Sequence, residues 1–332
     1  MKSNAEPMKS SAPAPAVSVV VPVYKGGATL PALVSQLNKV FDQNGITGEI
    51  TLVNDASPDD SWECIRKIVA ETPNVRAVNL MRNYGQHNAL LCGIRLAAGE
   101  IIVTMDDDLQ HSPTEVLTLL AELDKGYDVV YGTPRAEQHG LWRDLASRLT
   151  KMALSSAMGA ETARNVSAFR AFRTRLRDAF AAYEGPFVSI DVLLTWGTTR
   201  FTSVSVPHHP RRHGESNYTL RKLIVHALNM MTGFTVLPLQ IASLMGFGLT
   251  AFGLLVLAYV LGRYFVSGAS VPGFPFLASL IAIFSGAQMF ALGIIGEYIA
   301  RIHFRTMDRP PYAVREYICE QPQADLIRTQ RV

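Results

Sequence analysis

Three cysteines in 332 residues, at positions 64, 92 and 319, exclude a disulfide scaffold, and no spaced partner makes any of them half of a metal-binding pair. Charge is also scarce. Charged residues make up 18% of the chain and the net charge is only +3, which excludes a general nucleic-acid binder and a disordered polyelectrolyte. After the first apolar run the chain reads Tyr24-Lys25-Gly26-Gly27-Ala28 in place of GxGxxG, and GxxxxGK[ST] occurs nowhere. The dinucleotide fingerprint and the P-loop are thereby excluded. Residues 1–16 hold no apolar core and read as a disordered tail, not a secretory leader. With no export signal and no paired cysteines, a reducing cytoplasmic setting is expected for the region that follows.

What the chain has in abundance is hydrophobicity, 48% of residues, with a mean hydropathy of +0.14. It is distributed in two ways. From 17 to about 132, short apolar runs at 17–24, 49–54, 75–79, 100–105 and 128–132 predict strands, and helix-period segments lie between them. The first such segment sets Leu30, Leu33, Val34, Leu37, Val40 and Phe41 on one face. The second follows Ser57-Pro58-Asp59-Asp60, where Ser57 reads as the cap and Pro58 as the first helical residue. Further helices are expected at 84–98 and 113–124, the latter opening with the capping-box pattern Ser112-Pro113-Thr114-Glu115. Strand and helix in alternation predict a mainly parallel α/β sheet.

The C-terminal third carries uncharged runs at 239–262 and about 274–296, separated by Pro272-Gly273. The first would span about 36 Å as a helix, more than the hydrocarbon thickness of a bilayer, and the pair predicts a two-helix transmembrane hairpin. Arg211, Arg212, Arg221 and Lys222 precede it, Arg301, Arg305, Arg309 and Arg315 follow it, and the connection holds only Arg263. The positive-inside rule then puts both ends, and the α/β domain, in the cytoplasm. Between domain and hairpin, residues 218–236 set Leu220, Leu223, Ile224, Ala227, Leu228 and Met231 opposite Arg221, Lys222 and His226, the pattern of an amphipathic helix at a membrane interface or packed on the domain. A single hairpin without a mid-membrane charge does not make a transporter.

The densest chemistry is Thr104-Met105-Asp106-Asp107-Asp108-Leu109-Gln110, directly after a strand. The carboxyl ends of strands are where open α/β sheets bind ligands. Adjacent carboxylates repel, and a hard divalent cation relieves that repulsion while leaving coordination sites for phosphate oxygens. Asp55, just past the second strand, stands where a carboxylate can meet a base or ribose, or simply open a turn. His208, His209 and His213 lack a spaced partner for zinc and read as loop residues. Trp62 and Trp196 read as packing residues; His87 and His111 read equally as supports of the site or as residues at its edge.

VSVVVPVY (17–24), LVNDASPDD (52–60), RNYGQHNALLCG (82–93), MDDDLQH (105–111), RRHGESNY (211–218) and GEYIARI (296–302) together resemble the family 2 glycosyltransferases that load a sugar onto a polyprenyl phosphate. That group includes dolichol-phosphate mannose synthase and the undecaprenyl-phosphate sugar transferases. RNYGQH and HGESNY look most like its formamido-arabinose branch. The resemblance runs from about 17 to 316 and implies a GT-A nucleotide-sugar-binding domain over 17–217, the interfacial helix, the hairpin within 237–298, and a cytoplasmic segment from 299 to 332.

It also implies roles. Pro22, Tyr24 and Asp55 would line the base and ribose pocket; Asp106 and Asp108 would hold Mg²⁺ or Mn²⁺ on the donor diphosphate, with Gln110 close by. Arg135, Arg143 and Ser147 would hold the acceptor phosphate, and Arg211, Ser216 and Asn217 would close over donor and acceptor. The implied partners are a nucleotide sugar, UDP-linked as in the bacterial branch, undecaprenyl phosphate, the bacterial inner membrane and, by analogy, further copies in a tetramer; nucleic acid is not among them. The implied reaction is inverting transfer for envelope glycan or lipid A modification, the alternative being an anchored nucleotide-sugar-binding scaffold without turnover. A polymer-forming transferase is disfavoured, since no QxxRW motif follows and the spans are too few for a channel. Five positions depart from the common pattern: Lys25-Gly26 stand for Asn-Glu, Asp107 for a small residue, Asn165 for Asp and Asn217 for Lys.

Overall fold

The computed structural model describes residues 15–134, 165–185, 187–207, 236–267, 273–307 and 309–319. Strand β1, Val17–Val23, is apolar at nearly every position and buried throughout, the mark of a strand covered on both faces. It pairs in parallel with β2 (Gly48–Asn54) on one side and β4 (Ile101–Thr104) on the other, and β3 (Val75–Leu80) continues in parallel beyond β2. Consecutive crossovers thus leave β1 in opposite directions, which opens a crevice at the carboxyl ends of β1 and β4.

The whole sheet has eight strands in the order β7-β5-β6-β4-β1-β2-β3-β8, with β5 at Val129–Pro134, β6 at Arg170–Arg173, β7 at Phe201–Val206 and β8 at Val314–Ile318. It is more mixed than the sequence predicts. β6 lies antiparallel between β4 and β5, and β8 lies antiparallel on β3. β6 escapes a search for apolar runs because it reads Arg-Ala-Phe-Arg; Arg170 is nonetheless buried, paired with Asp191, whose carboxylate also accepts the Tyr131 hydroxyl at 3.1 Å.

Helix α1 (Leu30–Asn44) buries the six apolar residues of the expected face and ends at Gly45, whose φ of 63° is the left-handed conformation glycine adopts without strain. α2 (Ser61–Glu71), α3 (Gln86–Leu96) and α4 (Glu115–Leu123) follow, then a 3₁₀ turn at Thr174–Phe180 and the short α5 at Ile190–Thr195. Two caps differ from expectation. α2 begins at Ser61, so Ser57 and Pro58 precede it, and α4 begins at Glu115 after Thr114 with no side-chain cap bond. Ser57 instead donates to Asn54 Oδ1 at 2.6 Å and accepts the Lys25 N–H at 3.1 Å, so it ties the loops after β1 and β2 together.

Two long helices follow, α6 (Leu237–Ser267) and α7 (Phe274–Thr306), each longer than its uncharged run. Within them Pro238–Val266 and Ile283–His303 are long and apolar enough to cross a membrane. They touch where Gly253 of α6 meets the Phe284 ring of α7, close enough that a Cβ would lie 3.1 Å from it. Beyond α7 the chain does not remain a segment of its own. It returns to the globular part: the Met81 N–H donates to the Ala313 carbonyl at 2.9 Å, Arg315 Nη2 donates to the Met81 carbonyl at 2.9 Å, and Trp62 Nε1 donates to Glu316 Oε2 at 3.2 Å. Tyr312 packs against α3, with the Arg95 guanidinium 5.6 Å from its ring centroid.

Candidate active site

The ends of β1, β2 and β4 converge because their backbones are laced together. The Asp55 N–H donates to the Val23 carbonyl at 2.9 Å, and the Met105 N–H donates to the Val20 carbonyl at 3.2 Å. Above these ends lies a cavity of about 230 Å³ lined by Pro22, Val23, Tyr24, Asp55, Asn83, Gly85, Gln86, Asp106, Asp107 and Asp108. A larger groove of about 520 Å³ sits between α1 and α2, but its lining, which includes Asn38, Lys39, Asp42 and Glu71, brings no strand end to it.

Of the residues expected at the site, Pro22, Tyr24, Asp55, Asp106 and Asp108 share the one cavity. Gln110 contributes its backbone N–H, which donates to Asp108 Oδ1 at 3.1 Å, and is not part of the lining. Arg135, Arg143, Ser147, Arg211, Ser216 and Asn217 lie outside the described residues, as do the segment at 218–235 and the three histidines at 208, 209 and 213.

Asp55 has a more definite task than meeting a ligand. It is 3% exposed, and its two oxygens accept the N–H groups of Tyr84 at 2.7 Å and Gly85 at 2.8 Å. Burial pushes its carboxyl above the ordinary value, against the pull of those two amides and of Arg82. Asp55 therefore holds the loop that opens α3, where Gly85, at φ 92°, takes a conformation other residues rarely adopt. That loop brings in Gln86, whose amide donates to Asp106 Oδ1 at 2.6 Å. Sequence reasoning does not single out Asn83, Gly85 and Gln86 as site residues, although they stand inside the matched run RNYGQH. His87 accepts the Ile190 N–H at 3.4 Å, and His111 is buried and stacked on Phe169 at 4.9 Å, so both support the walls.

The three consecutive acids are not equivalent. Asp107 lines the same cavity as its neighbours but packs its carboxylate against Gly26 in the loop after β1, with one oxygen buried. Burial first, then the charges of Asp106 and Asp108, push its carboxyl from 3.8 up to about 7. Among the described residues no three His, Cys, Asp or Glu side chains converge as a closed metal site. Asp106 and Asp108 at the cavity fit instead a hard cation of the Mg²⁺ or Mn²⁺ kind, which takes one or two carboxylates and completes its shell with substrate phosphate and water. Lys25, Ala56 and Leu109, in the loops after β1, β2 and β4, all have positive φ, of 60°, 51° and 58°. Such conformations in non-glycine residues concentrate where backbone shape serves a ligand.

The mixed sheet, with its switch point at β1 and β4 and carboxylates in the loop after β4, has the architecture of the GT-A fold. Residues 18–183 match the model of glycosyl transferase family 2, and the chain belongs to that family. Its similarity to individual relatives extends well past the globular domain. It is 35% identical to the undecaprenyl-phosphate 4-deoxy-4-formamido-L-arabinose transferase of Serratia proteamaculans, over 96% of this chain and 97% of that one. It is 36% identical to the enzyme of the same name from an Enterobacter species, over 91% and 93%. Among solved structures, glucosyl-3-phosphoglycerate synthase of Mycobacterium tuberculosis, in complex with Mn²⁺ and uridine diphosphate, superposes with a TM-score of 0.49 at 18% identity, over 66% of this chain and 78% of that one.

Proposed function

We propose that the protein transfers a sugar from a nucleotide donor, UDP-linked, to undecaprenyl phosphate at the cytoplasmic face of the inner membrane, with inversion at the anomeric carbon. The observation that carries this reading is the cavity where Tyr24, Asp55, Asp106 and Asp108 meet on a chain that continues into two membrane-length apolar helices. The names of the full-length relatives support the acceptor class.

The chemistry asks little of a general base. A lipid phosphate oxygen is already anionic at neutral pH, so it needs alignment more than deprotonation. That oxygen bonds to the anomeric carbon from one face as the bond to the donor diphosphate breaks on the other. Asp106 and Asp108 would hold Mg²⁺ or Mn²⁺, which when bound stabilises charge on the departing diphosphate. Gln86 orients Asp106, Gln110 orients Asp108 through its backbone, and Asp55 fixes the wall facing them. Arg135, Arg143, Ser147, Arg211, Ser216 and Asn217 are assigned to the acceptor phosphate and to closure over it, arginine being suited to bidentate phosphate contacts. The apolar helices keep the site at the bilayer where its lipid resides.

The test is direct. Purified protein in detergent, given undecaprenyl phosphate, Mg²⁺ and a panel of nucleotide sugars, is expected to yield a new lipid-linked sugar by mass spectrometry, lost with EDTA and in Asp108→Asn. Metal-dependent nucleotide binding without product from any donor would favour the scaffold reading.

A further inference from the structure

Gly26 and Asp107 lie 81 positions apart in sequence and meet in space. A Cβ built on Gly26 would fall 1.9 Å from Asp107 Oδ2 and 2.6 Å from its Cγ. No side chain other than glycine's leaves room there while the carboxylate keeps its position. What stands in the way is the end of the Asp107 side chain, so a larger residue at 26 would have to push that carboxylate from its buried seat. Oδ2 is buried and has no hydrogen-bond partner of its own. It is seated by shape.

A second tie runs beside it. The Thr29 hydroxyl lies 2.9 Å from the Gly26 carbonyl and 2.5 Å from the Asp107 carbonyl, so it bridges the same two loops through their backbones. The Gly27 N–H reaches Ser61 Oγ at 3.0 Å and the Lys25 N–H reaches Ser57 Oγ at 3.1 Å, which fixes the far side of the loop. The loop at 24–27 is thus held by Ser57 and Ser61 on one side and meets Thr29 and Asp107 on the other.

We propose that Asp107 is a positioning residue, not a third metal ligand: its carboxylate fills the niche left by the absent side chain of Gly26 and, beside the Thr29 bridge, sets the spacing between the loop that carries Tyr24 and the Asp106–Asp108 loop that a nucleoside diphosphate and its cation require. The proposal rests on the nucleotide-sugar reading of this cavity.

The test is a double-mutant cycle on the full-length protein in detergent, read by Mn²⁺ affinity, by UDP affinity in the presence of Mn²⁺, and by thermal unfolding without metal. Coupling between contacting residues is what such a cycle isolates. Gly26→Ala is expected to weaken UDP binding about tenfold and Asp107→Ala to weaken it by a similar factor. In the Asp107→Ala background, Gly26→Ala is expected to add less than about twofold and to lower the unfolding temperature no further, since the niche is then vacant. Asp107→Asn, which keeps the shape that fills the niche, should recover most of what Asp107→Ala loses. Multiplying effects at 26 and 107 would overturn the proposal, and so would a loss of Mn²⁺ affinity in Asp107→Asn as large as in Asp108→Asn. Wild-type protein that binds Mn²⁺ but not UDP would refute the nucleotide reading, while the Mn²⁺ and unfolding arms would still decide the coupling of the pair.

Discussion

The same residue types do opposite things in the two halves of this chain. In the sheet, Val19, Val21 and Leu52 are fully buried, whereas Leu255 on α6 is 70% exposed and Phe265 is 81% exposed. The polar groups invert too. Around the cavity, carboxylates and amides are tied by hydrogen bonds that cross between loops, whereas Thr250 on α6 satisfies its hydroxyl within its own helix, on the Gly246 carbonyl at 2.8 Å. One half makes its own apolar interior and uses its polar residues to set geometry. The other presents an apolar exterior on helices long enough to cross a membrane.

Substitutions break this comparison in proportion to what each half depends on. Asp108→Asn should cost the most, about a thousandfold in transfer rate, since it removes one of two carboxylates proposed for the cation. Circular dichroism and the unfolding temperature should stay near wild type. Leu52→Ala should destabilise the globular half by about 2–5 kcal/mol, and Leu255→Ala in detergent by less than about 0.5 kcal/mol, although both remove the same atoms. Equal losses would mean that α6 packs like a core helix. Leu255→Arg should raise the cost of membrane insertion by about 2.5–3.5 kcal/mol, seen as a shift into the soluble fraction, without altering nucleotide binding in detergent.

A pH effect is confined to the first half. The Asp107 carboxyl, pushed up to about 7 from 3.8, favours the folded state fully below its ordinary value. That contribution is lost as pH rises toward about 7, so metal-free protein should unfold at lower temperature near neutrality than near pH 4–5, and Asp107→Asn should flatten the trend. The smallest effect is expected from Ser57→Ala, about 1 kcal/mol, for losing the link between Asn54 and the Lys25 N–H.

The two halves are also unequally legible. The hairpin is plain in the sequence because an uncharged run of more than 20 residues is long enough to cross a bilayer and longer than a soluble core usually holds. In the globular half, β1, β2 and α1 declare themselves by unbroken apolar runs and a clean helical face. β6 does not, because it reads Arg-Ala-Phe-Arg and buries Arg170 in a pair with Asp191 that no local pattern announces. Asp106 and Asp108 are readable as strand-end carboxylates, but the direction in which Asp107 turns depends on Gly26, and that contact exists only once the sheet has formed. Ser57 shows the same limit: its spacing suits a helix cap, and the folded chain uses it between two loops.

The order of assembly carries a last consequence, and it concerns synthesis. β8 covers the outer edge of β3, yet it is encoded after both long helices. A ribosome delivers β1 to β7 first, then the hairpin, and only then the strand that covers the edge and holds Met81. Until that moment β3 offers an open row of backbone donors and acceptors, the feature through which sheets aggregate. Completion of the globular half is therefore coupled to synthesis of the two long apolar helices, and a chain that stalls before residue 314 leaves its transferase sheet with a raw edge.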